Sequence, residues 1–166
     1  TFNCGEGTIL VDLMQKLDVE FETAEEILMA SNVSGGSVPK DLMWTSDRGD
    51  LSFPVQTIND IVKCALDVMC ENVENFFGKY YREKNMTALA VNPISITGEG
   101  IGGVAGAAEH IAGRLNRLTE IVAPDLPYYD KPAFSSRIAL LNMALNDRKK
   151  SGLLYRIFNN FGGKKK

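Results

Sequence analysis

Apolar residues recur at helical spacing along much of the chain, interrupted by short β-branched or aromatic runs. Leu10, Leu13, Met14 and Leu17 lie on one side of a helix predicted over Thr8 to Leu17. A second helix is predicted from Thr23 to about Ser31. Its start is marked by Thr23-x-x-Glu26, a capping box in which hydroxyl and carboxylate satisfy free backbone N–H groups, and its end by Asn32 and Ser34-Gly35-Gly36. Residues 41–45 and 51–55 have strand composition around Ser46-Asp47-Arg48-Gly49-Asp50, a hairpin signal, and Pro54 confines its strand to an edge. Thr57-Ile58-Asn59-Asp60 then caps the longest predicted helix, which extends to about Tyr81. Its apolar stripe is Ile58, Ile61, Val62, Ala65, Met69, Val73, Phe76 and Tyr80.

The last third alternates differently. Ile94 and Ile96, between Pro93 and Gly98, make a short buried strand. Small and aliphatic residues from Val104 to Leu118 make a helix, with Arg114 and Arg117 suited to its negative end. Residues 119–123 return as a second strand. One helix joins the two, so they are expected to be parallel with a right-handed crossover. A proline-rich loop, Pro124 to Pro132, precedes a helix over Ala133 to Asn146, whose Ser135, Ser136 and Ala139 suggest close packing on the sheet. Two parallel strands cannot hide their own edges. The chain therefore reads as α/β and as part of a larger protein, with its preceding half cut before Thr1.

Composition narrows the class. A chain of 166 residues with 45% hydrophobic and 23% charged residues is globular, and its net charge of −3 argues against nucleic acid as a partner. Cys4, Cys64 and Cys70 form no C-x-x-C pair, which favours a reducing, cytoplasmic setting and ordinary buried thiols over a zinc site. His110 is the only histidine and falls mid-helix, where a structural or solvent-facing role is expected.

The stretch with chemical potential is Gly98-Glu99-Gly100-Ile101-Gly102-Gly103, between strand and helix. Glycines there let a backbone approach a phosphate or nucleotide, and a helix N-terminus offers free N–H groups. Three readings fit: an adenosine-binding segment, a structural turn that needs glycine only for its dihedrals, and a dinucleotide fingerprint. The fingerprint belongs at the first βα turn of a doubly wound sheet, whereas only one strand follows here. Glu120 downstream stands at a distance suited to a ribose contact, a common coincidence for one acid near a strand. Glu25 and Glu26 can contact a ribose or simply favour a helix start. Trp44 either packs on the long helix or forms a docking surface.

Taken in order, these segments resemble the second half of the bacterial actin-like ATPases, closest to the FtsA cell-division family and the related PilM pilus-assembly family. Asn3-Cys4-Gly5-Glu6 resembles the Gly-Gly-acid loop after the second phosphate hairpin. Phe21-Glu22-Thr23-Ala24-Glu25-Glu26-Ile27 resembles the helix bordering adenosine, and residues 95–106 the adenosine segment. Residues 121–125 and 132–141 resemble the closing strand and helix. The resemblance implies a fragment of the actin-like (ribonuclease H-like) ATPase fold, with a partial parallel sheet and a small α+β insertion subdomain. Residues 1–7 and 93–146 would belong to the nucleotide-binding subdomain, 8–92 to a partner-facing subdomain and 147–166 to a basic amphipathic tail. It also implies ATP as the cofactor of the complete protein, contacted here by Gly5, Glu25, Thr97, Gly98, Gly100, Gly102 and Gly103. No catalytic activity is expected of this chain alone, because the phosphate loops would lie upstream. Two departures weaken nucleotide binding: Glu99 replaces a middle glycine, and Leu28 stands where a lysine is usual. The implied role is to tether a cell-division polymer or assembly to the inner face of the membrane, through a peptide of the tubulin-like division protein or another assembly protein, with self-association. A pilus scaffold and a chaperone-like ATPase are the alternatives.

In the tail, Leu153, Leu154, Ile157, Phe158 and Phe161 share one helical face, while Arg148, Lys149, Lys150, Arg156 and the final lysines surround it. That composition suits an anionic membrane interface, and so a peripheral location on the inner membrane. The alternative is a helix docked on the preceding half, with solvated terminal lysines.

Overall fold

The computed structural model describes residues 5–84, 93–98 and 100–151. Helix α1 (Glu6–Leu17) has Glu6 at its positive end and Lys16 at its negative end, the arrangement the helix dipole favours. It stops where Asp18 turns left-handed, with φ of 55°. Ile9, Leu10 and Leu13 of the apolar stripe are buried, while Met14 and Leu17 pack at the core margin.

Helix α2 (Phe21–Ala30) begins two residues before the position that the capping box predicts. The Glu20 carbonyl accepts the Ala24 N–H at 3.0 Å, so Thr23 already lies inside the first turn and no side chain caps the helix. The long helix α3 (Val55–Lys84) likewise starts before Thr57. Asn59, read as part of its cap, points inward instead: it is 1% exposed and its Oδ1 accepts the Asn32 N–H at 3.1 Å.

Leu13, Ile27, Leu28, Ile58, Val62 and Leu66 are sealed from solvent at the meeting of α1, α2 and the first half of α3. Burying each such side chain contributes about 1.5–3 kcal/mol. The second half of α3 runs past this core. Phe76 and Tyr80, at the end of its stripe, remain exposed and stack on each other with centroids 6.3 Å apart. Cys70 is buried as expected, but Cys64 lies on the exposed side of the same helix, six residues away and off the core face.

Between α2 and α3, β1 (Met43–Thr45) and β2 (Ser52–Pro54) form the predicted antiparallel hairpin, with Trp44 opposite Phe53. Their rings stack at 6.2 Å and pack on the core margin, which accounts for Trp44 structurally. The hairpin tip is tied by the Ser46 hydroxyl, which donates to Asp50 at 2.6 Å and holds its carboxyl below the ordinary value of 3.8.

Strands β3 (Ile94–Ile96) and β4 (Thr119–Ile121) pair in parallel, Ile94 with Thr119 and Ile96 with Ile121. Ile94 and Ile96 are half-buried, not fully buried as expected, because few elements cover this two-stranded sheet. Their connection contains a 3-10 turn at Ile101–Gly103 and helix α4 (Ala107–Leu115), which is shorter than the predicted span. Gly106 at φ 81° and Asn116 at φ 48° delimit it. Helix α4 adds Ala107, Ile111 and Leu115 to the core.

A 3-10 turn at Pro132–Phe134 leads into α5 (Ser135–Ser151). Its Ser135–Ala139 face does turn toward the sheet, but the two share an open cavity of about 440 Å³ instead of packing closely. The chain is thus mixed α/β with two small sheets, one of them parallel. Among the described residues, no helix is long and apolar enough to cross a membrane.

Candidate functional site

The glycine loop lies where three distant parts of the chain meet. Gly100 is buried against the first turn of α1: a Cβ built there would stand 2.3–2.5 Å from Cβ, Cγ and Cδ of Glu6. Glycine is required at Gly100 because the Glu6 side chain lies across it. Gly103 faces Met29 of α2, and a Cβ there would make ordinary contact with its Sδ at 3.5 Å. Gly102 approaches Pro132, 3.3 Å from the position of such a Cβ.

Gly98, at φ 112°, has open space on its side-chain face, and its N–H donates to the Pro132 carbonyl at 3.2 Å. Thr97 just before it is exposed and donates its hydroxyl to the Val122 carbonyl at 3.0 Å. Gly5 precedes α1 in extended backbone and gives its carbonyl to the Thr8 N–H. Glu25 is exposed on α2, one turn before Met29, on the side of that helix which meets the loop.

The loop at Gly100–Gly103 is therefore brought to Glu6, the residue after Gly5, and to Met29, one helical turn along α2 from Glu25, with Thr97 and Gly98 at the strand end. Leu28, at the lysine position of the resemblance, is fully buried in the core. Glu120 accepts a hydroxyl hydrogen bond from Ser95 across the sheet at 3.3 Å, an ordinary cross-strand contact. Glu99 and the tail residues Leu153, Leu154, Arg156, Ile157, Phe158 and Phe161 lie outside the described residues.

The junction is braced by the segment after α2. The Val33 N–H donates to the Ala105 carbonyl at 2.8 Å, and Asn32 pairs with Ala105 in a parallel bridge. A Cβ at Gly106 would stand 2.1 Å from the Ser34 backbone nitrogen, so this approach too requires glycine.

A second polar group, on the seam between α3 and α4, was not singled out from the sequence. His110 Nε2 lies 3.0 Å from Asp67 Oδ1, and Arg114 reaches Asp67 at 3.7 Å, Glu71 at 3.4 Å and Glu74 at 3.9 Å. Three carboxylates at i, i+4 and i+7 on α3 facing His110 and Arg114 at i and i+4 on α4 was the available signal. The group borders a cavity of about 510 Å³ that also touches Lys63 and Glu109. A His–Asp pair can serve as a general base when a nucleophile adjoins the ring. Among the described residues, no hydroxyl or thiol hydrogen-bonds to His110. The pair acts as a clasp between helices, in keeping with the structural role expected for the lone histidine.

Among the described residues, no group of three His, Cys, Asp or Glu side chains is arranged to hold a metal ion. Compared with the models of known protein families and with characterised proteins, the chain matches none.

Proposed function

We propose that this chain contributes one wall of an adenine-nucleotide site in an actin-like protein of the FtsA type, which tethers an assembly to the inner face of a membrane. The observation that carries the reading is the convergence of the loop at Gly98–Gly103 with the first turn of α1 and with Met29 of α2. These three segments are separated by long stretches of sequence, and they are the ones the family resemblance assigns to the nucleotide. The N–H groups at the start of α1 would meet phosphate, the loop backbone would lie along the adenosine, and Glu25 would reach the ribose. Glu6 places a carboxylate beside Gly100, so an anionic ligand meets repulsion there and binding by this chain alone is weak. The hairpin and α3 would form the partner-facing part, and the basic tail the contact with anionic lipid.

The test is an NMR titration of the isotopically labelled chain with ADP, with GDP and inorganic phosphate as controls. ADP is expected to shift the amides of Gly98, Gly100, Gly102 and Gly103, together with those of the first turns of α1 and α2. Glu25→Ala, an exposed change that leaves the core alone, is expected to weaken the response. Absence of any shift at millimolar ADP, or shifts confined to other surfaces, would overturn the proposal.

A further inference from the structure

The cavity of about 510 Å³ on the seam between α3 and α4 is bordered by charges of two kinds. Those of the clasp are satisfied within it: Asp67 is taken by His110 and Arg114, and Arg114 reaches Glu71 and Glu74 as well. Lys63 on α3 and Glu109 on α4 also line the cavity, and among the described residues neither makes a hydrogen bond or ion pair. Helical spacing explains why. The acids within one turn of Lys63 are Asp60, which accepts from Gln56 at 2.8 Å, and Asp67, which the clasp already holds. One turn either side of Glu109 stand Ala105, Gly106, Ala112 and Gly113, none of which carries a charge. Lys63 is half-buried yet unpaired. The rest of the lining is neutral: Val33 is apolar and buried, and a Cβ at Gly35 or Gly113 would meet open space.

We infer that this cavity binds a free aliphatic α-amino acid, its carboxylate at Lys63, its ammonium at Glu109 and its side chain against Val33, Gly35 and Gly113. Two opposite charges, each unpaired and carried on packed helices, complement a zwitterion. A phosphate would meet the carboxylates of Asp67 and Glu109 together with the Lys63 ammonium, and a simple amine would leave Lys63 unanswered. The volume falls in the range of small-ligand sites, about 300–1,000 Å³. Glu109 is exposed and Lys63 half-exposed, so each contact is worth little and binding is of millimolar order.

The experiment is an NMR titration of the isotopically labelled full chain with L-leucine. It is run beside isocaproate, which lacks the ammonium, isoamylamine, which lacks the carboxylate, and inorganic phosphate. L-Leucine is expected to shift the amides of Gly35, His110 and Gly113, and to bind about threefold or more tighter than either truncated analogue. Lys63→Gln is expected to erase the preference for leucine over isoamylamine, and Glu109→Gln the preference over isocaproate. Gly113→Leu, which places a good helix former in the open space, is expected to abolish the response while circular dichroism shows the fold retained. Absence of shifts at these amides would overturn the inference, as would equal affinity for leucine and its analogues or a preference for phosphate. A response that survives all three substitutions would overturn it too.

Discussion

Two glycines of the same helix segment are expected to respond to alanine in opposite directions. Gly106 precedes α4 at φ 81°, where an L-residue is strained by about 1–2 kcal/mol. The added Cβ would also fall 2.1 Å from the Ser34 nitrogen and 2.5 Å from its Cα, both backbone atoms that no rotamer change can clear. Segment 32–34 must then move away from α4, which loosens the 2.8 Å bond from Val33 to Ala105. A lost backbone hydrogen bond adds about 1 kcal/mol. Gly106→Ala is thus expected to destabilise the chain by about 3 kcal/mol, or about 6–12 °C in melting temperature for a domain of this size. Gly113 lies within α4 with open space where a Cβ would be, so its alanine variant removes only the entropic penalty of glycine in a helix. That change is expected to stabilise by about 0.5–1 kcal/mol. Urea unfolding followed by far-UV circular dichroism measures both. A Gly106→Ala variant as stable as wild type, or a Gly113→Ala variant less stable, would refute the account of how α4 is seated.

Leu28→Lys, which restores the residue usual in the resembling family, would bury an unpaired ammonium in a site that is fully sealed. It is expected to prevent cooperative folding at neutral pH, and a thermal melt like that of wild type would show that the helix face is wrongly assigned. Asp50 is expected to titrate below 3.8 by NMR, chiefly because of the Ser46 hydroxyl, and to move upward in Ser46→Ala. Because its folded value is depressed, the hairpin tie is present above the unfolded value and lost as pH falls through the folded one. An unchanged titration in Ser46→Ala would contradict that cause. For the tail, cosedimentation with anionic liposomes is expected to weaken with salt and to be lost in Phe158→Glu. Equal binding by the variant across a salt series would leave the tail without a membrane role.

Most elements follow from local pattern. The stripe Leu10, Leu13 marks the buried face of α1, and Trp44 with Phe53 lies on either side of a turn that Ser46 to Asp50 announce. Ile94 and Ile96 pair in parallel with the strand at Thr119 because a single helix separates them. Such readings succeed because side-chain period and turn chemistry act over a few residues. Helix starts were less legible. Thr23 and Asn59 have the chemistry of caps, but the chain already turns helical before them, and Asn59 finds its partner in Asn32, 27 residues away.

The candidate site divides in the same way. Its glycines are visible as a pattern, but their reasons are tertiary: Gly100 yields to Glu6 and Gly106 to Ser34, contacts that exist only once α1, α2 and α4 share a core. Leu28 could be read as a lost ligand residue from its place in a motif, and only packing shows it to be a core position. The clasp of Asp67, His110 and Arg114 joins helices 43 residues apart, and sequence carries no direct record of such a distance. By itself the sequence determined which segments form helices and strands, though not where each helix begins or ends, since propensity and periodicity are local. Which faces meet, and hence which glycines, acids and leucines are constrained, was decided by the tertiary structure, because close packing depends on residues that only folding brings together.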